Sequence, residues 1–274
     1  MSYQTVTVAT AIAQIEQGEL VLPAIQRDFV WRPAKIAAFL DSLMRGYPFG
    51  TLLFWNTRSR LQYRPFVRDY SVEGRHDFEI KEEGRRGTMV LDGQQRLQSL
   101  YIALRGRHED KVVHFDVLGS GETPEDVSQH AYRFELMKPR EARELNEEEG
   151  ADAHWVSLHE LYECRSGDDV SSLVRHAVRS LGLDPFDPMA ERISGNIRHA
   201  YGRFKADEVL SHYVIDKNYG DDRDPTPVEE ILEIFVRINS AGEDLSKSDL
   251  MFSLIQLQWE EASDEIEDLR RRIN

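Results

Sequence analysis

Apolar residues recur along the chain with two periods, one typical of helices and one typical of strands. Spacing of three and four residues predicts helices over residues 7–18, 33–46, 94–105, 170–181, 193–204 and 226–238, with further helices after Ser246 and over 264–273. Short apolar or alternating runs predict strands at residues 20–22, 51–55, 61–67, 78–80, 88–91, 112–117, 132–137, 155–158 and 210–215. Strands dominate before residue 140 and helices after it, which predicts an α+β fold followed by a mainly helical half.

An acidic stretch at residues 141–150 separates these two parts, and we interpret it as a solvated link. We therefore predict two units, an α+β domain over residues 1–140 and a mainly helical subdomain over residues 141–274. The helical subdomain is expected to complete a pocket on the first domain. The last helix reaches Asn274 without a stop signal, so a further domain is expected beyond it.

Composition limits the classes of protein to consider. The 274 residues are 41% hydrophobic and 30% charged, and no apolar run approaches the roughly 20 residues of a membrane span. Without a signal-peptide pattern at the start, we expect a cytoplasmic protein with no membrane partner. A single cysteine, Cys164, excludes a disulfide within this sequence and is expected to be a small buried residue.

The net charge of −15 is unevenly distributed, because residues 141–274 hold 31 of the 49 acidic residues. Residues 26–68 instead carry eight basic residues and two acidic ones. Such a local excess can attract a polyanion, but the acidic remainder argues against a broad nucleic-acid surface. A small anionic ligand fits this balance better.

One polar loop stands out because it joins a buried strand to an apolar helix. After the run Met89–Leu91 come Asp92, Gly93, Gln94, Gln95 and Arg96. A helix start directs free backbone N–H groups and the positive end of the helix dipole at one point, which favours an anion such as phosphate. Arg96 adds a fork of donors, the two amides can hold a ligand oxygen or a water, and Asp92 can bind a divalent cation. The alternative is that Asp92 only caps the helix and the other polar residues are solvated.

A second polar group precedes the helix that begins at Pro33. Gln26 and Arg27 offer hydrogen-bond donors, while Phe29 or Trp31 offers a flat face for a nucleobase. An equally weighted interpretation makes the aromatic residues part of the core and pairs Arg27 with an acid.

The third polar group lies at a predicted corner between two helices. It runs from Arg237 through Asn239 and Ser240 to Gly242. Either these residues contact a ligand, or Asn239 or Gly242 only adopts the left-handed conformation that the corner requires. The sequence contains neither a Walker-type phosphate loop nor a Gly-x-Gly-x-x-Gly motif, and its nine histidines lack paired metal-ligand spacing.

Four stretches in this order resemble the N-terminal domain family of GmrSD-type modification-dependent restriction systems, within the ParB/sulfiredoxin-like superfamily. They are LPAIQR at residues 22–27 with Trp31, DSLMRGYPFG at 41–50, LDGQQRL at 91–97 and FVRINSAG at 235–242. Together they extend from about residue 10 to residue 255. The resemblance implies a ParB-like mixed sheet with flanking helices that binds and hydrolyses nucleoside triphosphates.

The same resemblance assigns roles to the polar groups. Asp92, Gln94, Gln95 and Arg96 become the phosphate and hydrolysis loop, with Gln26 and Arg27 as its partners. We expect Asp92 to hold Mg²⁺ or the attacking water, and Gln94 or Gln95 to orient that water. The nucleotide-binding set is expected to comprise Gln26, Arg27, Trp31, Gly93, Arg96, Arg237, Asn239, Ser240 and Gly242, with Asn239 and Ser240 closing the pocket.

The resemblance also implies partners. Such systems act against phage with modified DNA and are often joined to an HNH nuclease domain. This sequence has no HNH-like histidine cluster, so the nuclease is expected beyond residue 274 or on another chain, and the full-length protein is expected to contact modified DNA. Two rival functions remain open: a sensor that binds a nucleotide or modified base without hydrolysis, and a nuclease that nicks DNA through the Asp92 loop.

Overall fold

The computed structural model describes residues 3–23, 29–57, 61–71, 79–81, 87–119, 121, 130–148 and 152–216, and residues 230, 231, 233, 234 and 237. The helices are α1 (Val8–Glu16), α2 (Pro33–Met44), α3 (Gln94–Arg105), α4 (Pro139–Asn146), α5 (Leu158–Glu163), α6 (Gly167–Ser180) and α7 (Pro188–Tyr201), the last continued by a π-helical segment (Gly202–Ala206). The strands are β1 (Tyr3–Val6), β2 (Leu20–Pro23), β3 (Leu52–Thr57), β4 (Leu61–Arg64), β5 (Asp69–Tyr70), β6 (Glu79–Lys81), β7 (Gly87–Asp92), β8 (Arg107–His108), β9 (Val112–Asp116), β10 (Phe134–Met137), β11 (Trp155–Ser157) and β12 (Leu210–Asp216). The fold is α+β, as predicted.

A mixed seven-stranded sheet with the order β1-β12-β3-β7-β2-β4-β6 forms the centre of the molecule. Strands β2 and β7 are parallel, with Val21 opposite Met89. Strand β12 runs parallel to β3 and antiparallel to β1. Because β12 is formed by residues 210–216, the second half of the chain contributes a strand to the sheet of the first half.

Alternate residues of the central strands enter two separate apolar clusters, because successive side chains of a strand point to opposite faces. Leu52 and Phe54 of β3 and Val90 of β7 belong to the large core that also contains the apolar faces of α1, α2 and α3. Leu53, Trp55, Met89 and Leu91 face the other way, where Ile231 and the partly buried Ile234 pack against the same cluster. The described residues around 230–237 are helical, in agreement with the predicted helix there.

Local signals at the helix ends account for most predicted boundaries. Thr7 accepts a hydrogen bond from the N–H of Thr10 at 2.9 Å and so caps α1. Pro33 occupies the first turn of α2, where its missing N–H costs nothing. Gly106 does follow α3, but its backbone is extended and not left-handed. A β-carbon there would lie 1.6 Å from the carbonyl oxygen of Arg68, so close approach of two backbones explains this glycine.

The interpretation of residues 141–150 as a link was wrong, since α4 occupies most of that stretch. The helix starts at Pro139, an ion pair joins Arg140 to Glu144 at 2.7 Å, and Ala142 is its one buried residue. Its acidic residues remain in solvent as expected.

A second, smaller sheet contains strands from both sides of this helix in sequence, and three further α-helices follow it. Strands β10, β9 and β11 form a three-stranded antiparallel sheet, against which α5 packs. Cys164, which follows α5, is buried as expected. The division into units at residue 140 stays a prediction, although one apolar core includes residues from both sides of it. None of the helices in the described part is long and apolar enough to cross a membrane.

Candidate active site at the start of helix α3

The polar loop at residues 92–96 lies at one edge of the central sheet. Because β2 and β7 are adjacent and parallel, their carboxyl ends, at Pro23 and Asp92, reach the same edge. Chain segments that follow such ends meet outside the sheet, which is where open α/β sheets bind ligands. The residues after β2 include Gln26 and Arg27, which lie outside the described residues.

Gly93 makes the turn from β7 into α3. Its φ of +89° lies in the left-handed region, and an added β-carbon would be 2.2 Å from Cδ2 of Leu52. Only glycine fits there. Gly93 is the N-cap and supplies no capping side chain, and the N–H groups of Gln94 and Arg96 donate to none of the described residues. The helix start therefore offers free donors, as an anion site requires.

Arg96 fixes the loop in place. Its Nη1 donates to the carbonyl of Phe49 at 2.7 Å, and its Nη2 donates to the carbonyl of Thr51 at 3.3 Å and to Asp92 at 2.8 Å. The side chain of Arg96 is 14% exposed, whereas that of Asp92 is 34% exposed. Gly50, with φ of +89°, leaves the room that the guanidinium fills. Three of the five N–H donors of Arg96 are thus engaged, and the other two bond none of the residues that the structure describes.

Asp92 does not cap the helix. Only its Oδ2 is bonded, to Arg96, and its Oδ1 accepts no hydrogen bond in the part of the chain described here. The alternative interpretation of Asp92 as a helix cap was therefore wrong. A carboxylate held in one orientation, with a free oxygen and partial exposure, is available to a cation or a water.

The two neighbouring glutamines have different surroundings. Gln95 is buried, and its Oε1 accepts the N–H of Val30 at 3.0 Å. Gln94 is half-buried, and its side chain has no partner among the described residues. One turn later, Gln98 bonds both the N–H and the carbonyl of Val67. The buried glutamines Gln95 and Gln98 of α3 thus hold neighbouring backbone segments.

Val30 links the second polar group to this loop, because it lies between the undescribed residues 24–28 and Trp31. Trp31 is half-buried, with its ring edge against Phe39 at a centroid distance of 5.6 Å. The ammonium of Lys35 lies 4.9 Å from the centre of the Trp31 ring. Trp31 thus combines the two interpretations: it packs on the core and remains partly accessible.

The third polar group is only partly described. Arg237 is exposed and bonds Glu233 one turn earlier. Asn239, Ser240 and Gly242 lie outside the described residues. Their predicted contact with the Asp92 loop stays a prediction.

Sequence reasoning gave residues 49–51 no role in the site, although they lie against the guanidinium of Arg96. Two of their carbonyl groups accept from Arg96, and Gly50 accommodates it. A glycine directly before a buried strand was the available signal. Backbone carbonyl groups leave no trace in a residue pattern, so these two acceptors were not predictable.

The α+β fold thus places an acid, two amides and an arginine together at the start of helix α3. The chain belongs to the family described as GmrSD restriction endonuclease, N-terminal domain, whose model matches residues 8–256. This confirms the resemblance that the four motifs indicated. The chain is also similar to an uncharacterised protein of Methanocaldococcus jannaschii, at 31% identity over 105 residues. That match covers 38% of this chain and 18% of the archaeal protein.

Proposed function

We propose that this chain is the nucleotide-hydrolysing regulatory domain of a restriction protein, with the Asp92 loop as its active site. The observation that carries the proposal is the pairing of Asp92 with Arg96 beside a helix start where the N–H groups of Gln94 and Arg96 donate to none of the described residues. Phosphoryl transfer needs mainly positioning and charge stabilisation, and this loop supplies both kinds of group.

Phosphate binding is the first role of the loop. The free N–H groups of Gln94 and Arg96, the positive end of the α3 dipole and the two remaining donors of Arg96 all favour negative charge. Gln26, Arg27, Trp31, Gly93, Arg237, Asn239, Ser240 and Gly242 are proposed to complete the nucleotide site.

Mg²⁺ is the proposed cofactor, and the donor set fits it. In proteins Mg²⁺ commonly uses one or two carboxylates together with substrate phosphates and waters. No group of three or more histidine, cysteine or acidic residues able to hold a metal occurs within the described ranges. Asp92 alone would therefore hold the ion together with phosphate oxygens, and the ion would supply positive charge against the transferred phosphoryl group.

Gln94 is the better candidate for orienting the attacking water. Its amide is half-buried and bonds none of the described residues, whereas the Oε1 of Gln95 is occupied by the N–H of Val30. An amide can both donate to and accept from a water, which is what orientation of a nucleophile requires.

Modified phage DNA and an HNH nuclease domain or subunit are the proposed partners of the full-length protein. Membership of the restriction family supports this proposal. The basic excess over residues 26–68 supplies charge of the sign that attracts DNA.

The test is phosphate release from each of the four nucleoside triphosphates with Mg²⁺, with and without modified DNA. Arg96→Ala should abolish nucleotide binding, and Asp92→Ala should reduce turnover more than binding. Arg140→Ala, which removes an exposed arginine of α4, is the matched control and should behave as wild type. Normal turnover in both loop variants would exclude this site. Bound nucleotide without phosphate release would indicate a sensor, and metal-dependent nicking lost in Asp92→Ala would indicate a nuclease.

A further inference from the structure

The carboxyl end of α2 is held by side chains from the second half of the chain. Its last turn closes normally, with the N–H of Tyr47 bonded to the carbonyl of Ser42 and that of Gly46 bonded to Leu43. In addition, Nε2 of His199 lies 2.8 Å from the carbonyl oxygen of Met44. Nε of Arg203 donates to the carbonyl of Leu43 at 2.8 Å.

Arg203 reaches this position from the π-helical segment that continues α7. Its side chain is 19% exposed, and its Nη1 lies 3.7 Å from Asp207. Its Nη2 lies 3.6 Å from the place of a β-carbon on Gly46, whose φ of +69° marks the exit from α2. Short π-helical insertions in α-helices are frequent at functional sites. Here the π-helical segment contains Arg203, which contacts α2.

The six residues after α2's final turn, residues 46–51, form what we call the strap. At one end of the strap, Arg203 bonds the carbonyl of Leu43, three residues before the strap begins, and its Nη2 lies beside Gly46. The other end is fixed by Arg96, which donates to the carbonyls of Phe49 and Thr51. Arg96 also bonds Asp92, so the strap connects the helical half to the proposed active-site loop.

We infer that Arg203 is a positioning residue for hydrolysis, acting through the strap on the orientation of Arg96 and Asp92. This inference rests on the proposed function for its effect on turnover. Loss of the Arg203 side chain would let the strap carbonyls of Phe49 and Thr51 shift relative to Arg96. Small displacements of catalytic groups cost large factors in rate, so turnover should fall more than affinity.

The experiment compares wild type, Arg203→Ala, Arg203→Lys and the control Arg198→Ala in the full chain. Arg198 lies on α7 five residues earlier and, within the described ranges, bonds Ser194 and Ser171 alone. Phosphate release with Mg²⁺ gives kcat and KM, and hydrogen exchange reports on the strap amides without nucleotide. In Arg203→Ala we expect a roughly 10-fold to 100-fold lower kcat, with KM within about threefold. Strap exchange should also be faster, and Arg203→Lys should restore part of kcat.

Equal kcat in Arg203→Ala and Arg198→Ala would overturn the inference, as would unchanged exchange of the strap. If wild type releases no phosphate, the proposed function fails, and the exchange result alone then decides whether Arg203 holds the strap. If Arg203→Ala does not fold, Arg203→Lys decides the question, because a wild-type kcat with faster strap exchange would contradict the coupling.

Discussion

Gly50 lies directly against the guanidinium of Arg96: a β-carbon on Gly50 would be 2.9 Å from Nη1. Gly50 matters because its missing side chain leaves space for the guanidinium of Arg96. Any side chain at this position displaces the group that orients Asp92. The contact joins two stretches that are 46 residues apart in sequence, and it offers a test that leaves every polar residue of the loop intact.

We expect Gly50→Ala to lower kcat for nucleotide hydrolysis by about tenfold or more, because Arg96 must move. The left-handed φ adds about 1–2 kcal/mol of strain. Gly182→Ala is the matched control, because Gly182 also has a positive φ, of +64°, but no neighbouring atom within 4 Å. Both variants should lose similar stability in urea denaturation, and only Gly50→Ala should lose turnover. Equal turnover in the two would contradict the role of the contact.

The two adjacent glutamines should separate stability from activity. Gln95→Ala removes the acceptor of the Val30 N–H and should cost about 1–3 kcal/mol of unfolding free energy. Gln94→Ala removes an unbonded, half-buried amide, so its stability should change by less than about 0.5 kcal/mol while kcat falls. Urea denaturation and phosphate release on the two variants measure both effects. A larger loss of stability in Gln94→Ala would reverse the assignment.

Asp116 should be a structural carboxylate. It is fully buried and accepts hydrogen bonds from the N–H groups of Leu118 and His154 and two from the guanidinium of Arg133. Asp116→Ala leaves these donors without an acceptor and should cost about 3–5 kcal/mol. Asp168→Ala, at an exposed position in the first turn of α6, should cost no more than about 1 kcal/mol. Equal midpoints of chemical denaturation in the two variants would refute the structural role.

Stability should fall at mildly acidic pH because of buried histidines. Burial lowers the pKa of His212 below its ordinary value of 6.5, and the same cause lowers the pKa of His114, His154 and His159. The unfolded chain then binds more protons than the folded one, so stability present above about pH 6.5 is lost as the pH falls below it. The free energy of unfolding should therefore be lower at pH 5.5 than at pH 7.5.

His212→Phe isolates one of these groups. The ring of His212 lies 5.0 Å from that of Phe54 and its Nδ1 has no hydrogen-bond partner, so phenylalanine can take its place. The variant should lose less stability on acidification than wild type does. Wild type measured at the same two pH values is the reference. The same pH dependence in His212→Phe and wild type would contradict this origin.

Much of the fold was predictable because helix starts and strand faces depend on nearby residues. Thr7, Pro33 and the apolar run Met89–Leu91 each act within a few positions, and the corresponding elements occur where expected. The prediction of a link at residues 141–150 was wrong because a high density of charge indicates exposure to solvent but does not determine backbone conformation. Arg140 and Glu144 form an ion pair one helical turn apart, which supports a helix in the same residues.

The candidate site was predictable only in part. The Asp92 loop could be located because a strand, a turn and a helix follow one another there. Which glutamine turns inward depends on Val30, 65 residues earlier in the chain. Which segment receives Arg96 depends on two backbone carbonyls. Contacts of this kind arise from tertiary packing, and a single sequence gives no period or motif for them.

The position of β12 has a consequence for how the molecule is made. Strand β3 is sandwiched between β7 and β12, and β12 ends at residue 216. During synthesis, a chain that has left the ribosome only to residue 200 therefore presents one side of β3 as a bare edge, with β1 lacking any neighbour. Pairing over such a sequence distance is slow, and exposed edges invite association with other chains. The nascent protein is thus most in need of protection just before β12 emerges, and the sheet that supports the Asp92 loop is completed only after more than 200 residues have been made.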